Sequence, residues 1–375
     1  MGRCDLKRRI VLHHWESPFS RKKEQSKIQK GELLNTFGNK TKGIGKLDYV
    51  TAWYYKAAQY MQDTFVRTAF LSTNSIVQGE QTPVLWKKII EEYGIVIDFA
   101  YRSFVWTNEA KGKAAVHCVI IGFSKGTLKK KKIFDGDEVI LTQNINPYLV
   151  DAPTVFIESR KNPLVNVAKV NYGSMPVDNE FLILSNDEKK QCVDENPDTE
   201  ILLKRYVGGD ELINNKIRWC LWLKDTPDPR LIRKSRFIMD RIRNTKQFRE
   251  TSKRIATNKL ADYPMLFGEI RQPDSQYIAI PKVSSERRRY IPISIVEPNV
   301  IANGSLLIIS EANLYNFGIL TSNIHMAWMR TTCGRMKSDY QYSASAANRN
   351  MKRPQCFLEE EHCSLLFLCF RGENK

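Results

Sequence analysis

Thr68-Ala69-Phe70-Leu71-Ser72-Thr73-Asn74 is a short apolar run closed by polar residues, which suits a buried strand ending at a functional edge. Behind it, Thr82 and Pro83 open a helix as N-cap and first residue, Leu85, Trp86, Ile89, Ile90 and Tyr93 give it one apolar stripe, and Gly94 stops it. Two more strand candidates follow, Ile95-Val96-Ile97-Asp98-Phe99 and the run from Ala114 to Phe123, joined by a polar link. Upstream, Tyr49, Trp53, Ala57 and Tyr60 recur at helical spacing, with Asp48 placed to cap the first turn. Helix, strand, helix, strand, strand is half of an α/β sheet. Its last two strands, joined without a helix, are expected to be antiparallel, and its weakly alternating apolar runs predict cover on both faces, as in a doubly wound sheet. Before Asp48 there is room for at most one strand, near Ile10-Val11-Leu12, within a stretch from Met1 to Lys46 otherwise expected to be loop.

Working outward, the texture changes after Lys129-Lys130-Lys131-Lys132 to shorter segments with turn signals such as Val207-Gly208-Gly209-Asp210, which places the start of a second domain near residue 135. Between Arg230 and Lys259 the chain carries Arg230, Arg233, Lys234, Arg236, Arg241, Arg243, Lys246, Arg249, Lys253, Arg254 and Lys259 against Asp240 and Glu250, a basic helical face. Such a face is either an ordinary solvated helix or a surface for a polyanion. The whole chain agrees with the second use: 58 Lys and Arg stand against 41 Asp and Glu, a net charge of +17 in 375 residues.

No run approaches the roughly 18 apolar residues of a membrane span, and Met1 to Arg9 is charged with no apolar segment after it, so a cytoplasmic protein with no membrane partner is expected. The eight cysteines contain no Cys-x-x-Cys pair, and Glu359-Glu360-Glu361-His362-Cys363 is better explained as a solvated acidic patch than as a metal site; no metal is expected. The close glycine pair Gly43-Ile44-Gly45 follows a lysine-rich loop rather than a strand, which argues against a nucleotide cradle. Pro197-Asp198 lacks the Glu-x-Lys of a nuclease, and neither a nucleophile elbow nor a P-loop is present.

Several longer stretches, in order, resemble the DNA methyltransferases that accompany type IIG, MmeI-like restriction enzymes. They include Lys46-Leu47-Asp48-Tyr49-Val50-Thr51-Ala52-Trp53-Tyr54-Tyr55, Thr73-Asn74-Ser75-Ile76-Val77-Gln78-Gly79-Glu80-Gln81, Ile97-Asp98-Phe99-Ala100-Tyr101-Arg102-Ser103-Phe104-Val105-Trp106 and Asn146-Pro147-Tyr148-Leu149-Val150-Asp151. Farther on come Ile217-Arg218-Trp219-Cys220-Leu221-Trp222-Leu223, Val283-Ser284-Ser285-Glu286-Arg287-Arg288-Arg289-Tyr290 and Asn323-Ile324-His325-Met326-Ala327-Trp328. The resemblance implies the C-terminal half of a doubly wound, Rossmann-like class I methyltransferase sheet over residues 1–134. A mixed α+β target-recognition domain over 135–343 and a divergent tail over 344–375 follow from it.

The family moves a methyl group from S-adenosylmethionine to N6 of an adenine flipped out of double-stranded DNA. Its catalytic Asn-Pro-Pro-Phe loop corresponds here to Glu16-Ser17-Pro18-Phe19, degenerate at two positions: Glu16 lacks the amide, and Ser17 replaces a proline. The resemblance places a base-stacking ring at Phe104 or Trp106 and Asn74 in the base pocket. For sequence readout, Glu286 and Arg288 sit two apart and if extended face the same way, Arg toward guanine and Glu toward cytosine, unless the run is an ordinary surface salt-bridge cluster. Arg287, Arg289 and Lys129, Lys130, Lys131 and Lys132 are left for phosphates.

The family's S-adenosylmethionine loop lies upstream of the catalytic loop, and only fifteen residues precede Glu16; the Gly expected just before the loop is also missing, and the similarity stops at Ala344. The expectation is therefore a truncated or frameshifted portion, inactive alone, or a subunit completed by an upstream-encoded methyltransferase or restriction chain. Two other classes remain: a non-catalytic DNA-binding specificity module, and an RNA-binding basic protein, against which the lack of an aromatic RNA-stacking motif argues.

Overall fold

The computed structural model describes residues 20–106, 116–126, 128, 130–158, 169–226, 228–310, 312–336 and 338–344, together with the backbone of 10–12. The chain divides into two compact units, one from the N-terminal side up to Lys161 plus a return segment beginning at Ile324, the other from Asn162 to Asn323.

The first unit is built on β1 (Ile10–Leu12), α1 (Lys27–Phe37), α2 (Thr51–Tyr60), β2 (Arg67–Thr73), α3 (Gln81–Tyr93), β3 (Val96–Trp106), β4 (Val116–Ser124), β5 (Lys131–Asp135) and β6 (Glu138–Thr142). Its six-stranded sheet has the order β1-β2-β4-β3-β5-β6. β1 and β2 are parallel, β4 runs antiparallel to both β2 and β3, and β5 is parallel to β3. Thus β1, β2 and β3 point the same way, with β4 inserted between the last two as an antiparallel strand. The connections from β1 to β2 and from β2 to β3 are helical crossovers, as parallel strands require.

Helix α3 buries Leu85, Trp86 and Ile89 completely, as its stripe predicts, and ends at Gly94 with φ +64, a left-handed turn that costs glycine nothing. Two local expectations fail. The buried side of α2 is Tyr54, Tyr55 and Ala58, while Tyr60 is 72% exposed, because Tyr54 packs on Phe70 and Phe123 of the sheet. And residues 27–37, expected as loop, form α1: Ser26 and Gln29 make a reciprocal capping box, and Leu33 and Phe37 dock on the core, Phe37 with its ring 4.6 Å from that of Tyr55. Two buried side chains are too few to give that helix a visible period.

Cover on both faces is not what the described residues provide. Thr68, Phe70 and Ser72 of β2 meet Met61 and Tyr54 of the helical layer, and their partners Phe123, Ile121 and Val119 share that face. The opposite face carries Ile120, Tyr101, Phe134 and Val139 in one register row, and Trp106 beyond them; Tyr101 is 39%, Trp106 44% and Val139 52% exposed. The apolar runs therefore reflect one packed face and one open aromatic face.

The second unit contains β7 (Val170–Tyr172), β8 (Ile183–Leu184), α4 (Asn186–Glu195), β9 (Leu203–Val207), α5 (Gly209–Asn214), β10 (Trp219–Leu221), α6 (Pro229–Lys234), α7 (Arg236–Glu250), α8 (Ile255–Asn258), β11 (Tyr277–Pro281), β12 (Val283–Ser284), β13 (Ser294–Val296), β14 (Val300–Ala302), β15 (Leu306–Ser310) and α9 (Leu314–Leu320). Two four-stranded sheets, β14-β9-β10-β8 and β13-β11-β15-β7, give it a mixed α and β architecture. All five residues of β11 are buried, which explains its unbroken apolar sequence. The return segment adds α10 (Asn323–Thr332) and the antiparallel pair β16 (Gly334–Met336) and β17 (Asp339–Gln341). Within the first unit, Trp328 of α10 packs with Tyr148 and Ile157. No helix among the described residues is long and apolar enough to cross a membrane.

Candidate functional site

In the first unit the candidate residues gather where β2 and β3 end. Thr73 and Phe104 both pair with Cys118 of β4, one from each side, so the turn after β2 and the end of β3 are two strand spacings apart on one edge. The register of β3 slips between Tyr101 and Phe104, and this irregularity turns Ser103 toward Asn74, whose amide nitrogen donates to the Ser103 hydroxyl at 3.0 Å. Asn74 is half-buried at the head of a 3-10 turn, Asn74–Val77. The Phe104 and Trp106 rings lie 6.4 Å apart, and Trp106 is 44% exposed. An amide, a hydroxyl and two accessible aromatic faces can hold a planar, hydrogen-bonding group. Cys118 beneath them is no nucleophile, since burial pushes its thiol up to about 11.

β1 runs parallel to β2, so the chain leaves β1 toward this same edge. Glu16, Ser17, Pro18 and Phe19 follow but lie outside the described residues. The chain resumes at Ser20, where its carbonyl accepts from Tyr49 N at 3.1 Å and Lys22 N donates to Asp48 Oδ1 at 2.8 Å. Asp48 is not the helix cap that its position suggests. Its other carboxylate oxygen accepts from Ser75 Oγ at 2.7 Å and from Gln81 Nε2 at 2.8 Å, and it is only 6% exposed. One carboxylate thus joins the segment after the degenerate loop, the Asn74 turn and the start of α3. Its partners lie 26 to 33 residues away along the chain, so no local pattern discloses them.

Asp48→Asn replaces one acceptor oxygen by an amino group, and the first unit should lose about 1.5–2 kcal/mol. A denaturant melt with segment-resolved hydrogen exchange checks this; an unchanged midpoint and unchanged protection at Lys22 would show that Asp48 does not clamp these segments.

The Gly208-Gly209 turn between β9 and α5 is closely packed by the chain's own side chains: an added Cβ at Gly208 would sit 2.5–2.8 Å from Asn303, Glu211 and Ser305. At Gly43, φ is +88 and an added Cβ would sit 3.0 Å from the Val84 side chain, so Gly43 serves the packing of α3. Among the described residues no group of three or more His, Cys, Asp or Glu is placed to hold a metal ion.

The polyanion candidates divide. Lys129 lies outside the described residues, and Lys130 and Lys132 are exposed. Lys131 is a correction: it is 5% exposed, burial pushes its ammonium down against the pull of Asp98, and it cannot reach a phosphate. In the second unit, Glu286, Arg287, Arg288 and Arg289 are all exposed, but not extended. Arg288 N donates to Ser285 O at 3.1 Å and Arg287 N to Ser285 Oγ at 3.3 Å, which makes residues 285–288 a turn. The alternation that would aim Glu286 and Arg288 together therefore does not apply; the turn presents all four outward instead. Arg289 stands over the Tyr290 ring, and the Tyr290 hydroxyl donates to Asn323 Oδ1 at 2.6 Å.

Of the basic helical face only Arg241 and Arg249 are drawn into the fold, while Arg230, Arg236, Arg243 and Lys246 form ion pairs that stay open to solvent. Arg236 and Arg243 pair with Asp240, Arg241 with Glu188, Lys246 with Glu250 and Arg230 with Asp228, and Arg249 is fully buried.

The chain thus joins an α/β unit, whose strand edge carries Asn74, Ser103, Phe104 and Trp106, to a mixed unit that offers exposed arginines on a turn. Residues 15–135 match the family described as MmeI, DNA-methyltransferase domain, and residues 151–350 match MmeI, target recognition domain. The chain belongs to the MmeI-like restriction-modification methyltransferase family. It is 38% identical over 339 residues to DNA methyltransferase A of Bacillus subtilis (strain 168), covering 90% of this chain and 38% of that protein. A structure of the type IIL restriction-modification enzyme MmeI in complex with DNA superposes with a TM-score of 0.81 at 44% identity, covering 88% of this chain and 44% of the other. The chain thus spans about two fifths of the length of either relative.

Proposed function

We propose that this chain supplies the base-holding edge and the target-reading unit of a site-specific DNA adenine-N6 methyltransferase in a bacterial, type IIG restriction-modification system of the cytoplasm. The observation that carries it is the convergence of Asn74, Ser103, Phe104 and Trp106 at the carboxyl edge of parallel β1, β2 and β3, the edge at which open α/β sheets place their ligands. The sheet is then the C-terminal half of a doubly wound class I methyltransferase sheet. Residues 1–134 belong to the catalytic part, 135–343 to recognition and 344–375 to a divergent tail. Phe104 or Trp106 stacks on a flipped adenine, Asn74 borders its pocket, and Glu16, Ser17, Pro18 and Phe19, by their resemblance to the family's catalytic loop, have the role of holding the amino group. S-adenosylmethionine supplies the methyl group, and a methyltransferase or restriction chain encoded upstream is the proposed protein partner. Glu286 and Arg288 read base edges of double-stranded DNA, while Arg287, Arg289, Lys130 and Lys132 take phosphates.

Labelled S-adenosylmethionine and unmethylated genomic DNA test this, with the chain alone and with the upstream-encoded partner. Label recovered as N6-methyladenine only with the partner is the expected result. Label on cytosine, or none under either condition, overturns the reading. Within an active complex, Phe104→Ala combined with Trp106→Ala should lower methyl transfer about tenfold or more, since base-aromatic stacking is worth roughly 1–3 kcal/mol.

A second reading is favoured by one residue. Glu16 offers a carboxylate where the family has an amide, and a carboxylate favours a cationic amine that cannot attack. In that case the chain is a non-catalytic DNA-binding specificity module, and it retains salt-sensitive DNA binding without methyl transfer in any complex.

A further inference from the structure

We propose that Arg102 is a positioning residue for methyl transfer: by pinning the irregular end of β3 it sets where the Phe104 and Trp106 rings stand. The role rests on those rings lining the base site, as proposed above.

Between Tyr101, opposite Ile120, and Phe104, opposite Cys118, β3 holds two residues where β4 holds only Val119, so Arg102 and Ser103 form a bulge. Because strand side chains alternate faces, taking the extra residue back into register would turn Phe104 and Trp106 to the opposite face of the sheet. The bulge is held through both of its side chains, each bonded to a distant segment. Ser103 has one neutral hydrogen bond, from Asn74. Arg102 makes two: Nη1 donates to Asp135 Oδ2 at 2.8 Å, where β5 ends, and Nε donates to Leu149 O at 3.1 Å. The first is charge-assisted, the stronger kind. The second is delivered by a strained backbone. Leu149 has φ +58, a left-handed conformation uncommon for leucine. It is kept there by burial of its own side chain and by the fully buried Asn146, whose Oδ1 accepts from Tyr148 N at 2.9 Å and from Val150 N at 3.3 Å. Strain of this kind persists only where the surroundings over-determine it, and it gathers at functional sites. The Arg102 side chain is 31% exposed, so its ion pair adds little to stability; what it fixes is the geometry at the end of β3.

Initial rates with labelled S-adenosylmethionine and unmethylated genomic DNA, for the full chain with its upstream-encoded partner, test this alongside fluorescence anisotropy on labelled duplex DNA. Arg102→Ala should lower kcat about tenfold or more, since a misplacement of about 1 Å costs up to roughly a hundredfold. KM for DNA, duplex binding and melting temperature should stay as in the parent. Arg102→Lys, which lacks the fork that reaches both acceptors, and Asp135→Ala should share the defect. In a chain already carrying Phe104→Ala and Trp106→Ala, Arg102→Ala should cost no more than about a further twofold, because it acts through the rings; a further loss of about tenfold there overturns the role. Were Arg102 a phosphate contact instead, Arg102→Ala would weaken duplex binding and its salt dependence, Arg102→Lys would restore both, and Asp135→Ala would bind more tightly. That pattern also overturns the role. Parental rates in all three single variants overturn it and leave the adenine reading standing, whereas a parent that transfers no methyl in any complex removes both.

Discussion

Arg249→Met is expected to destabilise the second unit by about 3–5 kcal/mol, because it removes the donors that satisfy five buried carbonyls. The guanidinium has five N–H donors, and all five are used: Nε on Val177 O, Nη1 on Leu260 O and Tyr263 O, Nη2 on Pro176 O and Leu266 O, at 2.8–3.0 Å. Truncation leaves buried carbonyls without partners at roughly 1–3 kcal/mol each, softened where the loops relax toward water. One of those loops needs the restraint: Val177, Asn179 and Glu180 have φ of +51, +56 and +66, a left-handed conformation that these side chains rarely adopt. Next to it, Asp178 accepts from Glu180 N at 3.1 Å and from Leu182 N; burial pushes its carboxyl up, against these backbone bonds and, to a smaller extent, the Arg249 charge. Arg249→Lys offers three donors for five carbonyls and should recover only part of the loss. Denaturant melts with segment-resolved hydrogen exchange check this. Unchanged protection of β9 and β11 in Arg249→Met would show that the five bonds contribute nothing net.

A comparable effect is expected from one histidine, this time through pH. His325 on α10 is fully buried, with Nε2 2.6 Å from the Tyr342 hydroxyl, and burial lowers its titration point from 6.5 to about 4. A base whose folded value lies below its unfolded value binds more protons when unfolded, throughout the window between the two. Its contribution to stability is therefore complete above pH 6.5 and is withdrawn as pH falls from there to about 4. The difference between those values corresponds to about 3 kcal/mol. His325→Gln keeps a hydrogen-bonding side chain that does not titrate. The loss of stability between pH 7 and pH 4 should be smaller in that variant by about 3 kcal/mol; equal losses in variant and parent would mean that His325 takes up its proton as readily in the folded protein as in the unfolded one.

Much of the first unit is legible along the chain because its signals are local. The stripe of α3, its stop at Gly94, the strands around Phe70, Ile97 and Val119, and the antiparallel pairing of β3 with β4 all follow from side-chain period and connection length. The family membership is legible too, since it rests on ordered stretches of residues. Asn74 and Phe104 could be nominated as neighbours only through the resemblance: 30 positions separate them, and it is the pairing of both flanking strands with β4, plus a register slip at Ser103, that makes them adjacent.

The places where the sequence misleads share one cause. Asp48 has the position of a helix cap but finds stronger partners at Lys22, Ser75 and Gln81. Lys131 stands in a run of four lysines yet is drawn inside, because strand alternation turns it toward the packed face. Arg249 lies in a basic helix but is the one whose side chain meets five inward-pointing carbonyls. Composition, period and spacing determine on their own the α/β class of the first unit, the order of its elements and the basic character of the whole. Which charged side chains are left for a ligand, and which are consumed in holding the backbone, depends on hydrogen bonds between segments tens of residues apart, and only the tertiary structure brings those together.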